Sequence, residues 1–363
     1  MKTDAAVDVA VVGGGVMGLA TAWELTRRGL RPVVLERFAR GHHEGASHGA
    51  TRNFNNAYDQ GHYLDLLVRA RAGWDALGEV DGAPLLRLHG LITHGDVDVA
   101  AVRDGLTARG IPAALISAPE ASRRWPGMRF VGDVLWSSDA GVVRAADALR
   151  ELERRILTAG GEVSWSTPVA HIGETPDGAV LDLADGTRLR ADTVVVTAGA
   201  WTSSLLSRFG LPALTVTEET PAHFQPRTDA AWPSFNHYTD PAHFPATVYG
   251  MPTPGEGVKV GFHLVGDEVD PDARPHIPTH QAALAAYVRE WMPGLDPDSA
   301  APISCTYTST ADGTFVLDRR GHIVVGAGFS GHGFKFATGI GAELADLALD
   351  PSARAAEPFR LAP

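Results

Sequence analysis

The pattern of apolar and polar positions divides the 363-residue chain into alternating segments of two textures. Val7 to Val12 is apolar apart from Asp8 and predicts a buried strand; after a glycine run, Leu19 to Arg28 has helical spacing that Gly29 stops. Arg31 to Leu35 predicts a second strand. Tyr63 to Leu77 puts Leu64, Leu67, Val68, Trp74 and Leu77 on one helical stripe. Leu86 to Thr93 reads as a strand, Val143 to Ala159 as a helix closed by Gly160-Gly161, and Glu162 to Ser166 and Val180 to Leu183 as strands. Asp185-Gly186 turns the chain into Thr187 to Arg190, and Thr193 to Thr197 reads as a buried strand. From Leu211 to Pro302 prolines, aromatics and histidines crowd together, which predicts a sheet-rich unit with few long helices. The chain then returns to its first texture, with a strand at Ile323 to Val325, a turn from Gly326 to Gly333 and a helix from Phe334 to Leu349.

The glycine run is informative by position. Gly13, Gly15 and Gly18, with Val16 and Met17 between them, follow a strand and open a helix, and Glu36 ends the next strand about 20 residues on. Such glycines permit a tight turn and let a pyrophosphate approach the helix N-terminus, while the acid accepts from ribose hydroxyls. Strand, glycines, helix, strand and acid in register predict dinucleotide binding. The alternation of textures then predicts an α/β chain of two domains (α+β). A Rossmann-like nucleotide domain over residues 1–85, 145–210 and 315–363 is interrupted by a substrate domain with an antiparallel or mixed sheet over residues 86–144 and 211–314.

Charge and rare residues narrow the chemistry. The net charge of −12 argues against nucleic acid and anionic lipid as partners. No apolar run reaches membrane-spanning length, and Met1 to Ala6 lacks a basic and apolar leader, so the expected compartment is the cytoplasm. Cys305 is the single cysteine, which rules out an internal disulfide and a cysteine-based metal site. The segment from Gly41 to Arg52 holds three histidines and a glutamate without metal-ligand spacing, so no metal is expected. Lys2, Lys259 and Lys335 are the only lysines, and the rest of the 31 basic residues are arginine. An interior lysine retained in such a chain points to a use that guanidinium does not serve, because ammonium is compact and its pKa shifts readily.

Five segments together resemble the monomeric sarcosine oxidase and N-methyltryptophan oxidase family, within the amine-oxidising flavoproteins that include D-amino acid oxidase. They are Val11 to Gly18, Ser47 to Arg52, Val194 to Trp201, Cys305 to Thr308, and Gly328 to Lys335, and the resemblance covers nearly the whole chain. It implies FAD as cofactor, a small amine as substrate, O2 as acceptor with hydrogen peroxide as product, and a monomer or small homo-oligomer. FAD contacts fall by resemblance on Gly13, Gly15, Val16, Met17, Gly18, Glu36, Arg37, Ser47, His48, Thr51, Arg52, Val169, Ala198, Gly199, Trp201, Gly328, Gly331, His332, Gly333, Phe334 and Lys335. The family's matching cysteine forms a thioether with the flavin 8α position, which implies covalent attachment through Cys305; such chemistry needs a thiolate facing the cofactor.

The same resemblance implies roles for the two interior lysines. Lys335 binds the substrate carboxylate, with Gly331, His332 and Gly333 along the flavin edge; Lys259 contacts flavin N5 through water where O2 is activated. Thr51 and Arg52 lie over the ring, and Tyr249, Tyr307, His263 and His332 line the substrate pocket. Hydride transfer requires no obligatory base, so His263 and His332 tune the amine's protonation and position. One departure stands out: the family's second arginine, three residues after Arg52, is Asn55 here. A charge-assisted pair becomes at most neutral hydrogen bonds, a loss of roughly 1 to 3 kcal/mol for an anion. Glu218-Glu219 adds negative charge in a stretch expected to border the pocket. The substrate is therefore expected to be a bulkier secondary amine, a cyclic imino acid or an intermediate with a masked carboxylate. Two rivals stay open at this level: a dehydrogenase or desaturase using oxygen poorly, and a flavin-bound scaffold without activity.

Overall fold

In the computed structural model, which describes residues 5–362, the first apolar run forms the strand Ala5–Val12 inside an eight-stranded sheet. Arg188–Val196 and Val33–Leu35 flank it in parallel, Glu162–Ser164 adds beyond Val33–Leu35, and Ile323–Ala327 pairs in parallel with Arg188–Val196. Parallel strands covered on both faces need no polar alternation, which is why Val9 to Val12 and Val194 to Val196 are buried without a break. Val9 and Val11 pack with the helices Val16–Arg27, Gly61–Leu77, Ala145–Thr158 and Ala337–Leu349. Ala10 and Val12 face a layer that includes the antiparallel strands Val169–Thr175 and Gly178–Leu183.

The second eight-stranded sheet runs in the order Ala301–Pro302, Ala222–Phe224, Gly257–Phe262, Val248–Thr253, Ser234–Tyr238, Leu91–Gly95, Asp133–Ser137, Ala114–Ser117. Phe224, Phe235, Val248, Val258 and Val260 pack with Leu284, Tyr287 and Val288 of the helix Gln281–Trp291. Because side chains alternate across a strand, the positions between these apolar residues point away from that helix. Two three-stranded sheets join the large ones. One holds Thr51–Phe54, Gly141–Arg144 and Leu86–Leu88; the other holds Asp267–Glu268, Thr215–Glu219 and Cys305–Ser309.

Several expectations from the pattern are corrected. The run Leu86 to Thr93 is two strands in different sheets, Leu86–Leu88 and Leu91–Gly95, separated by a turn at Gly90. The segment Val143 to Ala159 begins as strand, since Gly141–Arg144 pairs with Thr51–Phe54 before the helix starts at Ala145. Thr187 to Arg190 and Thr193 to Thr197 are one strand, Arg188–Val196. The strand Val169–Thr175 and the helix Gln281–Trp291 carry too little periodicity to stand out among their turn residues. Val68 is half exposed and leaves the helical stripe. Lys335 lies in a 3-10 turn, Phe334–Phe336, ahead of the last helix rather than in its first turn. Lys2 lies outside the described residues. Among the described residues no helix is long and apolar enough to cross a membrane.

Candidate active site

A cavity of about 810 Å³ runs from the glycine turn to the polar face of the second sheet. At its first end, Gly13 has φ +108°, and a Cβ there would meet Thr197 O at 2.5 Å. A Cβ on Gly18 would meet Gly13 O at 1.9 Å, so this glycine serves the close packing of turn and helix rather than lining the cavity. The helix Val16–Arg27 starts at Gly15, which has no side chain to cap it, and has no acid in its first turn, so no negative charge of its own offsets the positive end of its dipole toward the cavity. Glu36 is buried, and its two carboxylate oxygens accept from Gly14 N at 2.7 Å and Phe38 N at 2.9 Å. Each oxygen keeps acceptor capacity for a ligand hydroxyl. Ser47 Oγ accepts from Val16 N at 3.0 Å. The Arg37 guanidinium stands 4.8 Å from the rings of both Phe38 and Trp201, and Trp201 Nε1 donates to Asp272 at 2.9 Å. Val169, Ala198 and Gly199 complete this stretch of wall.

The middle of the cavity is formed by the segment Ser47 to Asn55 and the strand Cys305–Ser309. Arg52 donates to the carbonyls of Thr51, Ala46 and His48, and lies over the Phe334 ring at 5.6 Å. His48 Nδ1 is 2.7 Å from Gly45 O and Nε2 is 3.0 Å from Ser304 O. Burial lowers its pKa to about 4, and a neutral ring donates to one of these carbonyls at a time. Cys305 is a buried free thiol on the cavity wall, next to Ser304. Thr51 is a correction: its hydroxyl turns to Thr253 at 2.8 Å, and the residue does not line the cavity. Glu218 and Glu219 are a second correction. They accept from Ser304 and His276, and from Val265 and Gly266, in the strand paired with Cys305–Ser309, and they do not line the cavity themselves.

At the far end the second sheet presents Asn236 and Tyr238, then Thr247, Tyr249 and Met251, then Lys259 and His263, each set at alternate positions of its strand or just beyond it. Tyr307 donates to Tyr249 Oη at 3.4 Å. Gly331, at φ +75°, lies under the Tyr307 ring, which a Cβ would meet at 2.1 Å. Lys259 is 5% exposed and lines the cavity. Burial, with Arg52 adding to it, lowers its pKa to about 8. Burial also takes His263 down to about 4, and takes His332 to about 3 with help from Lys335 and His263.

Lys335 donates to Tyr58 Oη at 2.7 Å and to His332 O at 2.9 Å; burial lowers its pKa to about 7. Tyr58 Oη is also 3.1 Å from His332 Nδ1, and His332 Nε2 is 3.4 Å from Gly313 O. A neutral His332 that donates from Nε2 accepts at Nδ1 from the Tyr58 hydroxyl, which leaves that oxygen free to accept from Lys335. Val16, Met17, Gly328, Gly333 and Phe334 line the space between the two ends.

Sequence reasoning missed Tyr58, Asn236, Tyr238, Thr247 and Met251, and also Asn53, whose buried Oδ1 has no partner among the described residues. The signal available was weak: a polar stretch Asn55-Asn56-Ala57-Tyr58 after a strand, and an alternation Ser-Phe-Asn-His-Tyr without a known motif. Asn55 donates from Nδ2 to Asn236 Oδ1 at 3.1 Å, a contact across residues far apart in the chain.

Comparison with known proteins agrees with this geometry. Human peroxisomal sarcosine oxidase is 33% identical over 98% of this chain and 95% of its own length. Monomeric sarcosine oxidase of Bacillus sp. (strain B-0618) is 29% identical over 94% of this chain and 92% of its own. The solved structure of NikD, an unusual amino acid oxidase essential for nikkomycin biosynthesis, superposes with a TM-score of 0.84 at 27% identity, covering 96% of this chain and 95% of that one. The DAO model, described as FAD dependent oxidoreductase, matches residues 8–347. With the glycine turn, the acid that closes it and the cavity leading away from both, this match shows that the chain belongs to the DAO family of FAD-dependent oxidoreductases.

Proposed function

We propose that the protein oxidises the bond between an amine nitrogen and its adjacent carbon in an N-substituted or cyclic amino acid, with O2 as the final acceptor. The observation that carries this reading is one cavity joining a helix N-terminus without an acidic cap to an end where two buried lysines stand beside two neutral histidines. The sarcosine oxidase names of the relatives support the substrate class.

The residues present fit FAD. The glycines let the turn pack tightly against Thr197 and bring the helix N-terminus to the cavity where a pyrophosphate would sit, Glu36 retains acceptor capacity, and the buried Lys259 lines the cavity. Gly13, Gly15, Val16, Glu36, Arg37 and Ser47 would hold the nucleotide part, and Arg52, Gly331, His332, Gly333 and Phe334 the ring. Bound FAD supplies the acceptor for a hydride equivalent from the carbon beside nitrogen. Lys335 holds the substrate carboxylate, and Tyr249 and Tyr307 bound the space for the amine. His263 and His332 stay uncharged, so neither adds a positive charge that would repel the amine. The amine loses two electrons and two protons to become an imine, which water hydrolyses after release, and O2 takes up the electrons and protons as hydrogen peroxide. A cation at Lys259 stabilises the negative charge that oxygen gains on the way.

We assign Cys305 as the covalent link to FAD, supported by its place on the cavity wall and its being the chain's single cysteine. The nucleotide domain is assigned to residues 1–85, 145–210 and 315–363 and the substrate domain to 86–144 and 211–314, a division supported by the separate strand membership of the two large sheets. An acidic chain with a lone free thiol suits the cytoplasm, as a monomer or small homo-oligomer.

The test is a panel of N-methyl and cyclic amino acids added without oxygen to the purified yellow protein, followed by peroxide measurement in air. Bleaching of the visible flavin band, and one peroxide per turnover, are expected. Failure of every amine to bleach the band removes the reading, and bleaching with little peroxide removes O2 as acceptor.

A further inference from the structure

Asn55 and Asn236 face each other on the cavity wall, and their hydrogen bonds leave a defined remainder. Asn55 Nδ2 donates to Asn236 Oδ1 at 3.1 Å, Asn55 Oδ1 accepts from Ala57 N at 2.8 Å, and Asn236 Nδ2 donates to Thr93 Oγ1 at 3.3 Å. Each carboxamide therefore keeps one N–H and one oxygen lone pair. The pair is uncharged, and the nearby cations leave little for a second anion. Arg52 donates to three backbone carbonyls, and Lys335 gives two of its three N–H groups to Tyr58 and His332, keeping the third for the one carboxylate already assigned to it. Asn236 sits two strands from Lys259, about 10 Å across a sheet. A second carboxylate placed against this pair would lose its hydration and meet no cation, whereas a group with its own donor and acceptor matches what the two amides leave open.

We propose that Asn55 and Asn236 form a subsite for an uncharged carboxamide-type group, so that the substrate carries one carboxylate and, at a second position, a neutral amide or lactam. This deepens the amine-oxidation reading and rests on it for the identity of the reacting bond. The two asparagines act as specificity determinants: they select by hydrogen bonding a substituent that charge would exclude.

The test uses holoenzyme and ligands that cannot be oxidised, so that binding is read apart from turnover. Calorimetric Kd values are compared for succinamate against succinate and for glutaramate against glutarate, pairs that differ only in carboxamide versus second carboxylate. The monoamide is expected to bind at least about tenfold more tightly at one chain length, a preference of about 1.4 kcal/mol. Asn55→Arg is expected to reverse the preference, and Asn55→Leu to shrink it to under about threefold by weakening the amide alone. Equal or tighter binding of the dianion at both lengths overturns the proposal, as does binding of neither ligand, or a ratio unchanged in Asn55→Leu. If Asn55→Arg does not fold, the parent and Asn55→Leu ratios decide alone. Failure of the amine-oxidation reading looks different: the monoamide preference stands while no N-methyl amino acid bleaches the flavin.

Discussion

Tyr58 Oη lies between Lys335 Nζ, at 2.7 Å, and His332 Nδ1, at 3.1 Å, so one phenol sets the proton positions of the two residues beside the cavity's polar end. Burial keeps that phenol protonated, holding its pKa well above the usual value for tyrosine. The arrangement therefore presents an acceptor to Lys335 and a donor to His332 at the same time. Tyr58→Phe removes both. A buried hydrogen bond to a charged group is worth about 1.5 to 3 kcal/mol, so the affinity for a carboxylate ligand is expected to fall by about tenfold or more, with the visible flavin spectrum retained. Unchanged affinity, measured by titration of the flavin band, would remove Tyr58 from the site.

The buried lysine predicts a pH dependence with a definite sign. Lys335 has its pKa lowered to about 7, below its ordinary 10.5, so in the free protein its positive charge is present below about pH 7 and fades above it. Binding of a simple carboxylate is expected to weaken by up to tenfold per pH unit above that point. No step is expected between pH 5 and 7 from His263 or His332, which titrate at about 4 and about 3. A Kd for acetate measured from pH 5 to 9 checks both statements, and a midpoint near 6 would assign the binding to a histidine instead.

Linkage gives the same lysine a cost in stability. Between about pH 7 and 10.5 the unfolded chain binds a proton at this residue that the folded chain does not, so its contribution to stability rises with pH across that window and is least favourable below it. Lys335→Met keeps the volume and removes the charge. The variant is expected to melt higher than the parent at pH 7 while losing carboxylate affinity. A lower melting temperature in the folded, yellow variant would show that the ammonium's hydrogen bonds outweigh its burial.

Cys305→Ser separates covalent attachment from cofactor binding. The thiol is buried in a strand and its hydrogen bond to Thr306 O, at 3.8 Å, is weak, so serine fits the same space. Acid precipitation of the parent is expected to leave the yellow colour in the pellet, and of the variant to leave it in the supernatant. Colour in the supernatant for both proteins would sink the link.

Gly18→Ala tests the turn itself. The added Cβ would meet Gly13 O at 1.9 Å, and the obstacle is backbone that carries the turn. Overpacking of this kind costs about 1 to 3 kcal/mol or more. Lower flavin content and a lower melting temperature are expected together; a fully loaded variant with unchanged melting would mean that helix and turn shift apart freely.

How far the chain can be read without its structure depends on the range of the interactions. The glycine turn, its flanking strands and helix and the acid at Glu36 follow from local rules, because the backbone conformations and dipole that they require are set by residues close in sequence. The scarcity of lysine marks Lys259 and Lys335 as unusual for a similar reason, since composition alone shows that arginine fills every other basic position but Lys2. The run Leu86 to Thr93 reads as one strand because a single apolar run does not reveal that its two halves enter different sheets.

Tyr58, Asn236 and the turn of Thr51 toward Thr253 belong to the tertiary structure alone. Asn55 meets Asn236 only when the strand Thr51–Phe54 and the second sheet close around the same cavity, and nothing in either segment codes for the other. Glu218 and Glu219 make the converse case: their charge suggests a place on the pocket wall, yet in the strand paired with Cys305–Ser309 backbone N–H groups and Ser304 take up their carboxylates. Sequence by itself determined the nucleotide turn and singled out the rare side chains, because those depend on local geometry and count. Which neutral groups stand beside those side chains, and so how their charges and protons are set, was decided by packing, because burial and hydrogen-bond partners are properties of neighbours brought together from distant parts of the chain.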